Sequence, residues 1–549
     1  VIKNSATIAL GLCLGLAACE GNNASGGSEA KVEVETKTEA EVAPIECERS
    51  TAVLPLGEER PPLWDSLFNR TISGAHSGPP PPTSRLGHHA QFILGYPERF
   101  SITEDESPHI RFAAGLLGES AHLAGVVITD AVSGDEVRRL DFAASERPPL
   151  RRERCWSFYQ GGCRFEGRLQ LAPLPVGVFV VVLYDDRGAE SHPITLNVRA
   201  RHWDESESLV VMFPNHTWHA YNRFGGGTLY KILDPDNSEK ATFLLPDRLY
   251  SVSQSRPLLP LEKTPHHKPE GTLVFLRALR EADIPYRAIS NSDLDDEGRL
   301  PRTAKVLLIG THDEYWTASM QASVKKFIRD GGNLAYLGGN AAWWQINRDG
   351  PDLYRDGYSG AKECPPMRSR NWANIGNFHS TLVNKPSAEF LGMSYRYAGR
   401  PTKQKVRPED AADHGLTAQQ YDNSGGVTIT APEHPVFADT GLVAGDIWGA
   451  DMAILGIELD GVPLDPDGTI MHRDRAAFPP TLEILASALA FKGGVVHPVG
   501  IFIDARPYPG GGRVIAFGSI AFYKALAVGD KIGVQLFENV MRLLLSEDH

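Results

Sequence analysis

The sequence predicts a multi-domain chain in which a β-sandwich precedes a doubly wound α/β domain. Three observations carry that expectation. Short alternating apolar runs, separated by turn residues, recur from about Phe92 to Val198. After Arg201, continuous apolar runs such as Leu209–Phe213 and Val306–Ile309 alternate with helical patterns, as buried parallel strands do. Polar clusters follow two of those runs directly, at the rim where open α/β sheets place their ligands.

The chain has 549 residues and a net charge of −13, so it has room for several cores and little reason to bind nucleic acid. Residues 1–18 carry Lys3, an apolar run from Ile8 to Leu16, and then Leu16-Ala17-Ala18-Cys19. That is the grammar of a lipoprotein signal peptide, with Cys19 as the lipidated residue, and the run is too short to span a bilayer. Val1 then reads as an alternative start. The protein is expected to be exported and anchored to a membrane through the acyl chain on Cys19. Residues 19–50 are a disordered tether: from Glu20 to Glu46 they hold seven glutamates and two lysines and cannot bury enough surface to fold. Export permits disulfides, and Cys155 with Cys163 is the expected pair; Cys47 and Cys364 remain as a pair by elimination, Cys13 leaving with the signal. Residues 51–91, with Pro79 to Pro82, read as an extended linker or surface wrap.

The sandwich is expected over 92–202. Its strands are predicted at Arg99–Ile102, Ile110–Ala113, Ala124–Thr129, Gly167–Leu171, Val178–Tyr184 and Ile194–Val198. The α/β domain is expected over 203–549. Leu209–Phe213 is its first strand, Gly271–Ala282 a helix, and Tyr286–Ile289 a strand before the turn NSDLDDEG. Val306–Ile309, a helix through Met320, Val324, Phe327 and Ile328, and Asn333–Leu337 form one strand–helix–strand unit, with Gly331 and Gly332 ending the helix. Residues 342–435 read as an irregular insertion of the kind that shapes a site. Ile454–Leu459, Val499–Ile503 and Val514–Phe517 are further strands, and Val534–Leu545 is a closing amphipathic helix.

Chemistry concentrates after two strands. His312-Asp313-Glu314-Tyr315-Trp316 puts two acids and an imidazole in one loop, where His312 and Glu314 can face the same side and bind a metal or share a proton. A loop whose Thr317 caps the next helix is the plainer reading. Pro214-Asn215-His216-Thr217-Trp218-His219-Ala220-Tyr221-Asn222 reaches the same rim; its two histidines are a weak metal pattern, and Tyr221 is equally a core tyrosine. Asn340 stands where flavodoxin-like hydrolases place a nucleophile, but no Ser or Cys occupies the turn and no G-x-S-x-G is present, which favours a metal-activated water. Glu458 alone is as readily a surface carboxylate.

Several segments together resemble the C-terminal domain of the N,N-dimethylformamidase large (beta) subunit family: TWHAYNRFGGGTLY from Thr217, SVSQSRP from Ser251, GTHDEYWT from Gly310, GGNLAYLGGNAAWWQI from Gly331, GIELDG from Gly456 and RVIAFGSIAF from Arg513. The resemblance implies an Ig-like sandwich before a flavodoxin- or glutamine-amidotransferase-like α/β domain, and hydrolysis of a C–N amide bond. It implies a ferric ion, Fe(III), held by two tyrosinates and a glutamate, hard anionic oxygens that suit a hard trivalent metal. Tyr221 and Glu314 would be metal ligands, His312 a neighbouring proton-handling residue, Asn340 an orienting amide and Glu458 the general base. The second tyrosinate is implied on a late sandwich strand, in a segment resembling SGxYxxxL, yet PVGVFVVVLY places Phe179 there. Tyr184 follows five residues on and faces the other side of a regular strand. The metal is therefore retained, altered or absent as open alternatives. The family namesake also works with a small partner subunit that this chain does not contain.

Two functions follow. The first is an exported metal-dependent amide hydrolase. The second is a metal-free surface protein that binds a glycan or other ligand on a platform of Trp218, Trp316, Trp343 and Trp344. Asn222, Trp218, Trp316 and Trp343 are the expected substrate contacts. The expected partners are a small-molecule amide or glycan and the lipid membrane, with homo-oligomerisation open.

Overall fold

The computed structural model describes residues 93–114, 121–151, 165–202, 208–222, 229, 251–258, 268–355, 378 and 385–546. The signal and tether expected over 1–50, the linker expected over 51–91 and all six cysteines, with the Cys155–Cys163 pairing, lie outside the described residues. No helix among the described residues is long and apolar enough to cross a membrane.

The first nine strands are β1 (Ile93–Pro97), β2 (Ser101–Thr103), β3 (His109–Ala114), β4 (Ala121–Asp130), β5 (Glu136–Asp141), β6 (Pro149–Leu150), β7 (Gly167–Gln170), β8 (Gly177–Asp185) and β9 (Ile194–Arg199). They form two sheets, β1-β3-β7 and β2-β9-β8-β4-β5, with β6 paired to β4. Both sheets send apolar side chains into one core: Ile93, Ile110 and Phe112 from the first, Val126, Ile128, Val181 and Leu196 from the second. Strand β8 is buried on both sides. Phe179, Val181 and Leu183 enter the core between these sheets, whereas Val178 and Val180 pack against the core of the following region. The period-two alternation of a strand produces that division.

The rest of the chain adds β10 (Leu209–Phe213), β11 (Ser251–Ser253), β12 (Arg287–Ser290), β13 (Val306–Ile309), β14 (Tyr315–Thr317), β15 (Asn333–Tyr336), β16 (Trp344–Asp349), β17 (Asp352–Arg355), β18 (Ser394–Pro401), β19 (Val427–Ile429), β20 (Ile447–Trp448), β21 (Leu459–Pro463), β22 (Glu483–Lys492), β23 (Val495–Ala505) and β24 (Val514–Ala516). One mixed sheet runs β12-β10-β13-β15-β24-β23-β21-β18-β22-β19-β20. Its first five strands are parallel, and from β24 to β23 onward every pairing is antiparallel. Alternate residues of the parallel strands enter different cores. Val211, Phe213, Leu308 and Phe517 pack with the helices Pro269–Glu281 and Lys531–Ser546. Val210, Met212, Leu307, Ile309 and Tyr336 pack with the helix Ala318–Arg329. Helices therefore cover both faces, which is why these strands read as unbroken apolar runs.

The described residues are mostly β-sheet with some helices, arranged in several sheets, and the antiparallel half of the mixed sheet was not foreseen. Three local expectations are corrected. NSDLDDEG is a helix, Asn291–Glu297, because Ser290 and Asp293 form a reciprocal cap and Gly298 closes it at φ +63°. Ile454 to Glu458 is not strand; the strand begins at Leu459, after Gly456 has turned the chain at φ +66°. Within 342–435, β16, β17 and β18 give the supposed irregular insertion regular pairing. A separate small sheet, β11-β17-β16-β14, carries the strand Tyr315–Thr317.

Candidate active site

The site lies beyond the carboxyl ends of β10, β13 and β15. After β10 the chain turns at Pro214 into the short helix Asn215–Tyr221, whose last residue is Tyr221. After β13 come Thr311 and His312, and His312 bridges Gly339, which follows β15. The approach is close: a Cβ on Gly338 would meet the Thr311 carbonyl oxygen at 1.9 Å, so only glycine fits there. Asn340 and Ala342 then adopt φ +55° and +49°, a left-handed turn that asparagine tolerates better than most residues. Thr217 ties the segments together, its Oγ1 accepting from the backbone N–H of Glu314 at 2.9 Å and of Tyr315 at 3.2 Å.

Five of the residues expected from the sequence come together. Tyr221 Oη donates to Glu314 Oε2 at 2.6 Å. His312 Nε2 lies 3.2 Å from that same carboxylate oxygen, 3.5 Å from Tyr221 Oη and 3.6 Å from Glu458 Oε2. Asn340 Nδ2 donates to Glu458 Oε2 at 2.9 Å and reaches Glu314 Oε1 at 3.3 Å. His312, Glu314, Asn340 and Glu458 are all buried.

Burial and charge set the proton affinities. Burial pulls the His312 imidazole down, but its bond to Glu314 and the charges of Glu458 and Glu314 outweigh that and leave it at about 9. Glu458 is pushed up, first by burial and then by Glu314, with His312, Arg400 and Asn340 holding it back. Burial also raises Asp313 and Asp460 to about 7 each. Asp460 accepts from Tyr336 Oη at 2.5 Å, and Tyr336 Oη in turn accepts from the Ala341 N–H at 2.9 Å, so this pair braces the turn that carries Asn340.

Tyr221 and Glu314 offer a metal one oxygen each, with His312 beside them, and the phenol donates to the carboxylate a proton that a cation could replace. The donor chemistry therefore fits a hard, oxygen-preferring ion. Phe179 adds nothing, since its ring lies in the core between the first two sheets. Tyr184 faces the other side of β8, where it bonds the Leu140 carbonyl and the Asp141 carboxylate. Among the described residues, one other group holds metal-ligand spacing: His434, Glu483 and Asp504. The Val436 N–H donates to His434 Nδ1, so Nε2 carries the proton and donates to Asp504 at 3.1 Å. Arg513 Nε contacts both Asp504 oxygens at 3.0 and 2.9 Å. A guanidinium thus takes the place of a cation there.

The expected substrate contacts divide. Trp218 and Trp316 are 1% and 0% exposed and belong to the cores, Trp218 packing edge-on against Phe100 and Phe213. Trp344 is buried as well, so no four-tryptophan platform forms. Asn222 is buried and donates to the Pro257 carbonyl at 2.9 Å. His216 and His219 are held neutral by burial, each at about 3. Trp343 alone of the expected contacts is half-buried beside the site, edge-on to Tyr395 at 5.3 Å. Tyr395 and Arg400, both on β18, were not anticipated. They fall in the stretch read as irregular, and only the alternation of Tyr395, Tyr397 and Gly399 hinted at a strand.

Compared with known proteins, residues 169–535 match the family described as N,N-dimethylformamidase beta subunit-like, C-terminal. No curated protein matches the chain. Among solved structures, a similarity is found to the crystal structure of Spo0M, sporulation control protein, from Bacillus subtilis. It has 13% identity and a TM-score of 0.14, and covers 22% of this chain and 53% of that one, about half its length. That likeness is too slight to assign a fold.

Proposed function

Given that the chain belongs to the N,N-dimethylformamidase beta subunit-like family through its C-terminal domain, we propose that it is a metal-dependent hydrolase of a C–N amide bond. The observation that carries this reading is the 2.6 Å contact between Tyr221 and Glu314, with His312, Asn340 and Glu458 gathered around it. Tyr221 and Glu314 are the proposed ligands. Ferric iron bound there would supply a Lewis acid that polarises the amide carbonyl.

The side chains do the rest. Glu458, with its raised proton affinity, takes a proton from the water that attacks the carbonyl carbon and returns it to the departing nitrogen. Amide and water thus become acid and amine with no net change in protons. Asn340 fixes Glu458 relative to Glu314 through its amide. His312, protonated, lies between the two carboxylates and offsets their charge. The burial of the group excludes bulk water and strengthens each of these interactions.

The strand order supports the finer fold reading. Numbered along the chain, the five parallel strands lie second, first, third, fourth, fifth, the flavodoxin-like arrangement, with the site outside the carboxyl ends. The two-sheet region before it is read as Ig-like. The Leu16–Cys19 motif supports export and lipid anchoring. The glycan-platform reading loses its basis with the burial of Trp218, Trp316 and Trp344. Glu314→Ala tests the hydrolase: it is expected to abolish both bound metal and amide cleavage, and retention of both would overturn the proposal.

A further inference from the structure

Most charged groups of the site are enclosed, and one is not. The side chains of His312, Glu314 and Glu458 are 1%, 0% and 11% exposed, whereas that of Arg400 is 35% exposed. Arg400 is also loosely held. Its Nη2 reaches Glu458 Oε1 at 3.3 Å and its Nη1 reaches the Ile457 carbonyl at 3.4 Å. Both distances lie beyond the usual range for N–H···O bonds. Arg513, by contrast, holds Asp504 with Nε at 2.9 and 3.0 Å. A guanidinium carries five N–H groups, and these contacts together with a bond to Tyr395 leave donors to spare.

The setting suits recognition. Tyr221, Trp343 and Tyr395 are half-buried like Arg400, and together they border the enclosed group. Tyr395 and Arg400 are an odd number of residues apart and would face opposite sides of a regular strand. The register of β18 breaks against β21, Ser394 pairing with Gly461 but Gly399 with Leu459, and this irregularity brings both side chains together. The enclosed His312 cation already lies between Glu314 and Glu458. Among the described residues of the group, Arg400 is the cation open to solvent.

We propose that Arg400 is the specificity-determining residue of this site and that it selects amides bearing a carboxylate close to the scissile bond. The inference rests on the hydrolase reading and narrows it. A carboxylate can take two parallel N–H bonds from the fork of the guanidinium, while a neutral amide has no group to match it.

The test is calorimetric binding to the full chain at low salt, with N-formylglycine and its methyl ester as probes. N-formylglycine is expected to bind about tenfold more tightly or better, the scale of a charge-assisted hydrogen bond. Arg400→Gln should erase the difference and Arg400→Lys keep part of it. If Arg400→Gln does not fold, the wild-type preference must still fall as salt rises. Equal affinity for the two probes, no binding of either, or a preference that survives in a folded Arg400→Gln would overturn the proposal. Turnover is assayed separately. Selective binding without cleavage would leave the recognition standing and remove the hydrolase; cleavage of both probes at equal KM would do the reverse.

Discussion

Tyr221 and Glu314 are 93 residues apart in the chain, yet the phenol of one donates to the carboxylate of the other at 2.6 Å. The ends of two neighbouring parallel strands, β10 and β13, bring them together, and Thr217, within the same helix as Tyr221, accepts from the Glu314 backbone. Position and chemistry are thus set by the same short helix. Replacing Thr217 by Val removes the hydroxyl and leaves two buried N–H groups without their acceptor. The expected loss is about 2–4 kcal/mol of stability, together with weaker metal binding, measured by urea unfolding and metal titration.

Asn340 separates backbone from side-chain effects. Asn340→Gly keeps the left-handed turn at no steric cost but deletes the amide linking Glu314 and Glu458. It is expected to fold, less stable by about 1–3 kcal/mol for the lost donor to buried carboxylates, and to lose hydrolytic rate by about 10²-fold or more, as loss of a positioning contact does. Asn340→Ala should be less stable than Asn340→Gly by about 1 kcal/mol, because alanine resists positive φ. Equal melting temperatures and undiminished rate would contradict both expectations.

His312 should titrate abnormally. In metal-free protein its imidazole is expected to lose its proton near pH 9, since Glu314 and Glu458 outweigh the effect of burial. With a folded value above the unfolded one of about 6.5, its contribution to stability is present in full below pH 6.5 and is lost as pH rises through 9. An NMR titration of the ring protons gives the midpoint; a value at or below 6.5 would contradict the ion-pair geometry.

His192 shows the opposite sign. It is buried beside the first sheets, and burial lowers it to about 4. The unfolded chain binds its proton more readily, so the contribution is present in full above pH 6.5 and falls away as pH drops toward 4. Relative to His192→Gln, the wild type should lose about 3 kcal/mol over that interval, read from urea midpoints. Parallel pH profiles for the two would refute it.

Trp218 packs edge-on against Phe100, which lies between β1 and β2, and against Phe213 at the end of β10. Trp218→Ala should cost about 3–5 kcal/mol in unfolding measurements, the scale of a buried aromatic removed from a close-packed core. A stable Trp218→Ala protein with only a ligand-binding defect would favour a surface role instead.

Much of this was legible in the sequence where one residue pattern had one physical solution. The runs Leu209–Phe213 and Val306–Ile309 could only be buried strands, and the polar clusters after them had to reach the same rim. What was not legible depended on distant pairing. Tyr395 and Arg400 join the site only through a register break in β18 that local sequence does not signal. Trp218 and Trp316 are the kinds of aromatic that line sites, but burial is decided by what the fold lays over them. Asp293 reads as a turn residue until Ser290 is seen to share its cap.

Tyr221 and Glu314 are the proposed metal ligands. Elemental analysis of the purified chain after loading with iron, read together with its visible spectrum, tests that assignment most directly. Stoichiometric iron is expected, with a tyrosinate-to-iron absorption band that disappears in Tyr221→Phe. Failure to retain iron, or a band unchanged by that substitution, would contradict it.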